Sequence, residues 1–133
     1  MQRLQNWAAR TIFTCNRYTH ALPLLYKLHW FPIRYRIMFK ILVTVFTARQ
    51  HQSPIFISEL FEFQIRVNNV RIINMNKLQV PVVRTANASR SLSVIGPKYW
   101  NALPHDIRCI TSREVFKCRV KTYLFGIAFS AFS

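Results

Sequence analysis

The stretch from 33 to 49, IRYRIMFKILVTVFTAR, is apolar around most of its circumference. A helix of that kind has to be covered on several sides by other segments of the chain. Ile37, Ile41 and Val45, with Met38, Leu42 and Phe46, form its broad apolar face, and Arg34, Arg36, Lys40 and Arg49 occupy what remains. Pro32 marks its start, because proline suits the first helical turn and not the interior. The apolar run within it, 37–48, is too short to cross a bilayer and carries Lys40. It therefore reads as a buried helix at the centre of a core.

The flanking segments supply the cover. Residues 2–13 repeat at helical spacing, with Leu4, Trp7, Ala8 and Ile12 on one face. A second helix over about 22–30 presents Leu24, Leu25 and Leu28. Pro54 opens a short fourth one, PIFISELFEF, in which Glu59 and Glu62 stand three apart. Near the end, Thr111 with Glu114 makes a capping-box pattern for a last helix to about Phe125. Its stripe is Phe116, Val120, Tyr123, Leu124 and Ile127, with Arg113, Lys117, Arg119 and Lys121 outside.

The middle is less regular. Residues 66–79 are rich in asparagine and read as irregular chain. LQVPVVR is extended, with Pro81 confining it to an edge, and RSLSVIG alternates at the strand period, so the two can pair across TANAS. Gly96-Pro97 breaks that strand, and Pro97 starts a short helix 97–103 in which Trp100 and Leu103 face inward. Pro104 begins another short turn. The expectation is a mainly α fold of five to six helices, with room for a short two-stranded β pair near 79–95. It is read as one domain over 1–133, helical over 2–63, irregular or extended over 64–95, helical again over 96–127, and ending in a short tail, 128–133. The expected core is Trp7, Leu28, Trp30, Ile37, Ile41, Val45, Trp100, Leu103, Ile107, Phe116, Val120 and Leu124.

Charge bounds the chemistry. Nineteen Lys and Arg face four acids, for a formal net charge of +15, and residues 1–58 contain no acid at all. Such a field draws polyanions, nucleic acid first among them. Magnesium-dependent nucleotidyl transfer needs several converging carboxylates, and Glu59, Glu62, Asp106 and Glu114 do not supply them. Only two glycines are present, so a Gly-rich phosphate loop is excluded. Cys15, Cys109 and Cys118 have no C-x2-C spacing for zinc and read as free thiols. His105-Asp106 beside Cys109 does not make a catalytic dyad, since neighbours on a short helix point apart; Asp106 reads as a cap after Pro104, or as a partner for Arg108 or for another molecule's base. Catalytic residues, metals and cofactors are expected to be absent. No secretory signal is visible, although Arg3, Arg10 and Arg17 imitate a mitochondrial presequence.

Four blocks stand in order: LQNWAARTIF, LHWFPIRYRIMFKILV, RSLSVIGPKYWNALPHDIR and SREVFKCRVKTYLF. Together they resemble the C-terminal region of reverse transcriptases from LINE-like (non-LTR) retrotransposons, which carries similar strings such as LQNRAAR, LHWLP and GPKLWNSLP-DIR. The resemblance runs from Leu4 to Phe125. It implies an RNA-directed DNA polymerase fragment without the palm and its paired aspartates, which lie upstream in the family, as does the endonuclease. Two departures stand out: the family often has Gly after the third helix, where this chain has His51, and a YG-R turn is replaced by Asn87-Ala88-Ser89-Arg90. If that glycine takes positive φ, Ala88 strains the turn by about 1 kcal/mol or more.

The resemblance and the charge together imply a non-enzymatic fragment whose partners are RNA, DNA or an RNA–DNA hybrid, or the rest of a reverse transcriptase, with no membrane and no small-molecule substrate. Its place would be the nucleus or cytoplasm. The candidate contacts are Arg34, Arg36, Lys40, Lys98, Arg113, Lys117, Arg119 and Lys121. Tyr99 and Trp100 either pack in the core or offer rings to a base, and the spacing to Leu103, Ile107 and Phe116 favours the core. The alternatives are a purely structural packing segment of the polymerase and a small basic mitochondrial or ribosomal RNA-binding protein.

Overall fold

The computed structural model describes residues 1–61 and 76–130, which are mainly helical, with no strand among them. The order is α1 (Gln2–Ile12), α2 (Ala21–Lys27), α3 (Ile33–Arg49), α4 (Ile55–Ser58), a 3₁₀ turn (Ala88–Arg90), α5 (Leu92–Ala102), α6 (His105–Arg108) and α7 (Arg113–Ala128). Pro32, Pro54 and Pro104 each stand immediately before a helix, as expected of a residue that helps to start one and has no N–H to lose. Glu62 and the stretch 66–75 lie outside the described residues. No described helix is long and apolar enough to cross a membrane.

Contacts gather the chain into two compact units, Met1–Phe39 with Val120–Ser133, and Lys40–Arg119. In the first, Ala9 of α1, Leu24 and Leu25 of α2 and Phe129 are buried together, with Phe13, Leu28 and Phe125 packed around them. Two glutamines tie α1 to the chain leading into α3: Gln5 Nε2 donates to the Phe31 carbonyl at 2.7 Å, and the Ile33 N–H donates to Gln2 Oε1 at 2.8 Å.

The second unit is built around three stacked rings. Phe46 of α3 and Phe116 of α7 lie 4.2 Å apart at 16°, and Trp100 of α5 follows Phe116 at 5.6 Å and 27°. All three are essentially sealed from solvent. The Trp100 indole N–H donates to the Asn76 carbonyl at 2.8 Å, so its polar edge is satisfied. The next side chain, Asn101, donates to the Leu78 carbonyl and accepts the Leu78 N–H at 2.8 and 2.9 Å. Two successive residues of α5 thus pin a segment that has no regular structure of its own.

The expected β pair does not form: Leu92–Ala102 is one helix, with Pro97 inside it. The residue before a proline is normally driven from helical geometry by its Cβ, and Gly96 has none. The same bare backbone admits Phe61, since a Cβ on Gly96 would sit 2.6 Å from Phe61 Cε1 and 3.0 Å from Val45 Cγ2. Ala88 opens the 3₁₀ turn without taking positive φ, so the strain foreseen there is absent.

Three core assignments are also corrected. Trp7, Trp30 and Ile37 are 68, 36 and 54% exposed. In α1 the small Ala9, and not the tryptophan, faces α2, which rotates Trp7 outward. Trp30 follows the reversal that ends α2. The buried face of α3 is Leu42, Val45, Phe46 and Ala48, which leaves Ile37 out and Ile41 half-buried, as Leu28 and Ile107 are. Val45, Trp100, Leu103, Phe116, Val120 and Leu124 are buried as expected.

Helices α1, α2 and α3 end alike. Thr14, His29 and His51 take φ of 49, 53 and 53° just past each helix. The next N–H returns to the carbonyl five residues back: Cys15 to Arg10, Trp30 to Leu25, Gln52 to Thr47. This is the Schellman arrangement, whose left-handed position ordinarily takes glycine. His51 occupies the position where the resembled family often has one, and its side chain is exposed.

His51→Gly should therefore raise stability by about 0.5–1 kcal/mol, because relief of the left-handed penalty exceeds the added freedom of the unfolded chain; urea denaturation measures it. Gly96→Ala should lower stability by about 1–3 kcal/mol through overpacking against Phe61, seen as an earlier thermal midpoint.

Candidate nucleic-acid interface

With so few acids to meet, most of the described cations are exposed or laid against rings. Among the described residues the one ion pair joins Lys117 Nζ to Glu114 Oε1 at 3.1 Å, one turn apart on α7. Lys117 is thereby partly occupied. Of the other candidate contacts, Lys40, Lys98, Arg113 and Arg119 in the second unit are exposed.

In the first unit the candidates are drawn together. Arg36 of α3 and Lys121 of α7 line one groove of about 380 Å³ with Gln5, His29, Trp30 and Phe31. Positioning begins at the left-handed His29, which turns the chain sharply so that Trp30 leaves the core. His29 itself stacks on Phe125 at 5.8 Å and 15°, and Phe31 meets the same ring edge-on at 5.8 Å. Gln5 holds the Phe31 carbonyl, so the far wall is fixed to α1. The result is a partly exposed indole sharing a groove with two cations, its neighbours His29 and Phe31 packed on Phe125.

Arg34 lines a separate, wider cleft of about 650 Å³ with Arg10, Tyr18 and Tyr35. There Arg10 Nε donates to the Thr19 carbonyl at 2.8 Å. Trp7 has Arg10 and Arg17 beside it in a third depression of about 380 Å³. Both exposed tryptophans of this unit thus have basic neighbours. Sequence reasoning missed Trp7 and Trp30 as surface groups, because it assigned both rings to the core.

Tyr99 and Trp100 prove to be packing groups, Trp100 fully buried and Tyr99 half-buried. Cys109 Sγ lies 3.5 Å from His105 Nε2 across one turn of α6, with both side chains exposed. Asp106 makes no cap: α6 follows Pro104 with no side-chain bond at its start, and no ion pair joins Asp106 to Arg108 among the described residues. No group of three His, Cys, Asp or Glu that could hold a metal gathers there among the described residues.

Comparison with protein-family models, curated proteins and solved structures finds no match for this chain.

The three tryptophans should separate by accessibility. With Trp7 and Trp30 changed to Phe, the remaining Trp100 emission should resist acrylamide, whereas the Trp7→Phe protein should add a readily quenched fraction from Trp30. Stern–Volmer slopes check both.

Proposed function

We propose that the chain is a non-catalytic fragment of a retrotransposon-derived reverse transcriptase that contacts RNA or DNA through the groove formed by Arg36, Lys121 and Trp30. The observation that carries this reading is the pairing of an accessible indole with two cations from different helices along one groove. Single strands are held in this way: cations follow the phosphates while successive bases stack on aromatic faces, without regard to sequence. The net charge of +15 draws the strand in. The four ordered blocks resemble the LINE-like C-terminal region, which in that family follows an enzyme handling an RNA–DNA hybrid.

A specific observation favours a second reading, packing against the rest of a polymerase. Ile55 and Phe56, adjacent on the single turn of α4, are 77 and 68% exposed, and Leu4 is 71% exposed.

Fluorescence anisotropy with a labelled single strand, measured over a range of salt, tests the proposal. Trp30→Ala should weaken binding roughly ten-fold, as expected for one lost stack. Arg36→Ala with Lys121→Ala should lower the salt slope by about 1.4, as expected for two phosphate contacts on a single strand. A chain that retains no strand at low salt, yet binds a dye specific for exposed apolar surface, belongs to the second reading.

A further inference from the structure

A different cation pair is built into the second unit. Arg49, at the end of α3, and Arg108, at the end of α6, line a cavity of about 190 Å³ with Gln50, Asn76 and Thr111. Arg108 is only 7% exposed. Its Nε and Nη1 are sealed from solvent and donate to no acceptor among the described residues. Arg49 is held in place: its guanidinium lies 4.4 Å over the Trp100 ring, and Nη2 donates to Asn76 Oδ1 at 3.2 Å. Gln50 is fixed in turn by donating its amide to the Thr111 carbonyl. Among the described residues that line the cavity, none is acidic.

Two guanidinium groups on one small cavity, Arg108 buried and Arg49 half-buried, oppose each other. Burial, and after it the charge of Arg108, lower the pKa of Arg49 from its ordinary value. Arginine does not escape by losing its proton at neutral pH. A buried charge with unmet donors costs several kcal/mol unless an anion reaches it. The fork of donors on a guanidinium matches the oxygens of phosphate or carboxylate. Two such forks on one small cavity match a doubly charged group better than a singly charged one. The cavity is smaller than the roughly 300 Å³ at which small-molecule clefts begin, so it suits one phosphate group and not a whole nucleotide.

We propose that Arg49 and Arg108 bind a phosphate group in this cavity. The site uses none of the groove residues and stands whether or not strands bind there. The phosphate has two available sources, a free or terminal phosphate and the phosphodiester of a nucleic-acid backbone.

The test uses the full chain in chloride buffer at constant ionic strength, with inorganic phosphate, uridine monophosphate and the dinucleotide UpU as separate probes. Binding is followed by ³¹P NMR and by the thermal midpoint. Saturable binding of any one of them is expected, with the midpoint rising by about 5 °C for each tenfold excess over Kd. Binding of the first two and not UpU assigns a free or terminal phosphate; binding of UpU assigns the backbone. Arg108→Met should weaken the bound probe roughly thirty-fold or more, and Arg108→Lys, which keeps the charge and loses the fork, roughly ten-fold. The lysine variant and the titration of the unaltered chain decide the matter even if the methionine variant does not fold. Arg84→Ala with Arg90→Ala, two exposed cations that line neither the cavity nor the groove, should leave phosphate binding unchanged. Failure of all three probes overturns the proposal, as does an Arg108→Lys or Arg108→Met protein that binds like the original.

Discussion

The indole of Trp100 is the constraint on which the second unit depends. A buried tryptophan needs a large apolar enclosure and an acceptor for its N–H together. Phe116 supplies a face from α7, Phe46 extends the stack from α3, and the acceptor is a main-chain carbonyl at Asn76. Meeting both demands fixes elements far apart in sequence around one side chain. Asn101 repeats the arrangement one residue on, closing both backbone groups of Leu78 as a neighbouring strand would. A segment with no helical or strand period is thereby held by side chains. Loss of a side chain of this size from a sealed core costs about 3–5 kcal/mol, a large share of what a domain of this length commands.

The shortage of acids shapes what the cations do. With one ion pair among the described residues, rings take the place of carboxylates. Arg17 lies 5.5 Å over Tyr18, Lys27 lies 6.0 Å over Phe13, and Arg49 lies 4.4 Å over Trp100. Such contacts contribute about 0.5–1 kcal/mol each at exposed sites and more where water is excluded. They steady a cation without neutralising it. The folded chain therefore keeps its positive field, and anything that screens or meets that field stabilises it. Binding polyanions and remaining folded draw on the same electrostatic term.

Much of this was legible from residues alone, and the failures have physical causes. Prolines before α3, α4 and α6, and the stripe Phe116, Val120, Leu124 of α7, were readable because both rest on local geometry. The inward face of α3 was harder: a helix apolar all round carries no direction, and the stack with Phe116 selects Phe46 over Ile37. The Ser-Leu-Ser-Val alternation of 91–94 reads as strand, but four residues cannot outweigh Trp100 and Asn101, whose contacts require helix up to Ala102. In the candidate groove, Arg36 and Lys121 were expected on the surface, whereas Trp30 was not. Arg108 left no mark in the sequence, because nothing in HDIR distinguishes a buried arginine from a solvated one.

The helix ends connect backbone strain to the groove. A left-handed histidine costs roughly 1 kcal/mol or more wherever it occurs, yet His29 and His51 stand differently. His51 projects into solvent, so nothing offsets its conformation beyond the hydrogen bonds any residue would make there. His29 lays its ring flat on Phe125, and that contact returns some of the cost. The sharp reversal it creates sends the next side chain, Trp30, outward while returning the Trp30 N–H to Leu25. Glycine at 29 would make the turn more easily and lose the stacked ring, leaving the edge-on Phe31 as the groove wall's remaining contact with Phe125. Strain at a non-glycine left-handed position persists where the surroundings over-determine it. At His29 the surroundings are the wall against which an exposed indole and two cations are presented; at His51 there is no such wall.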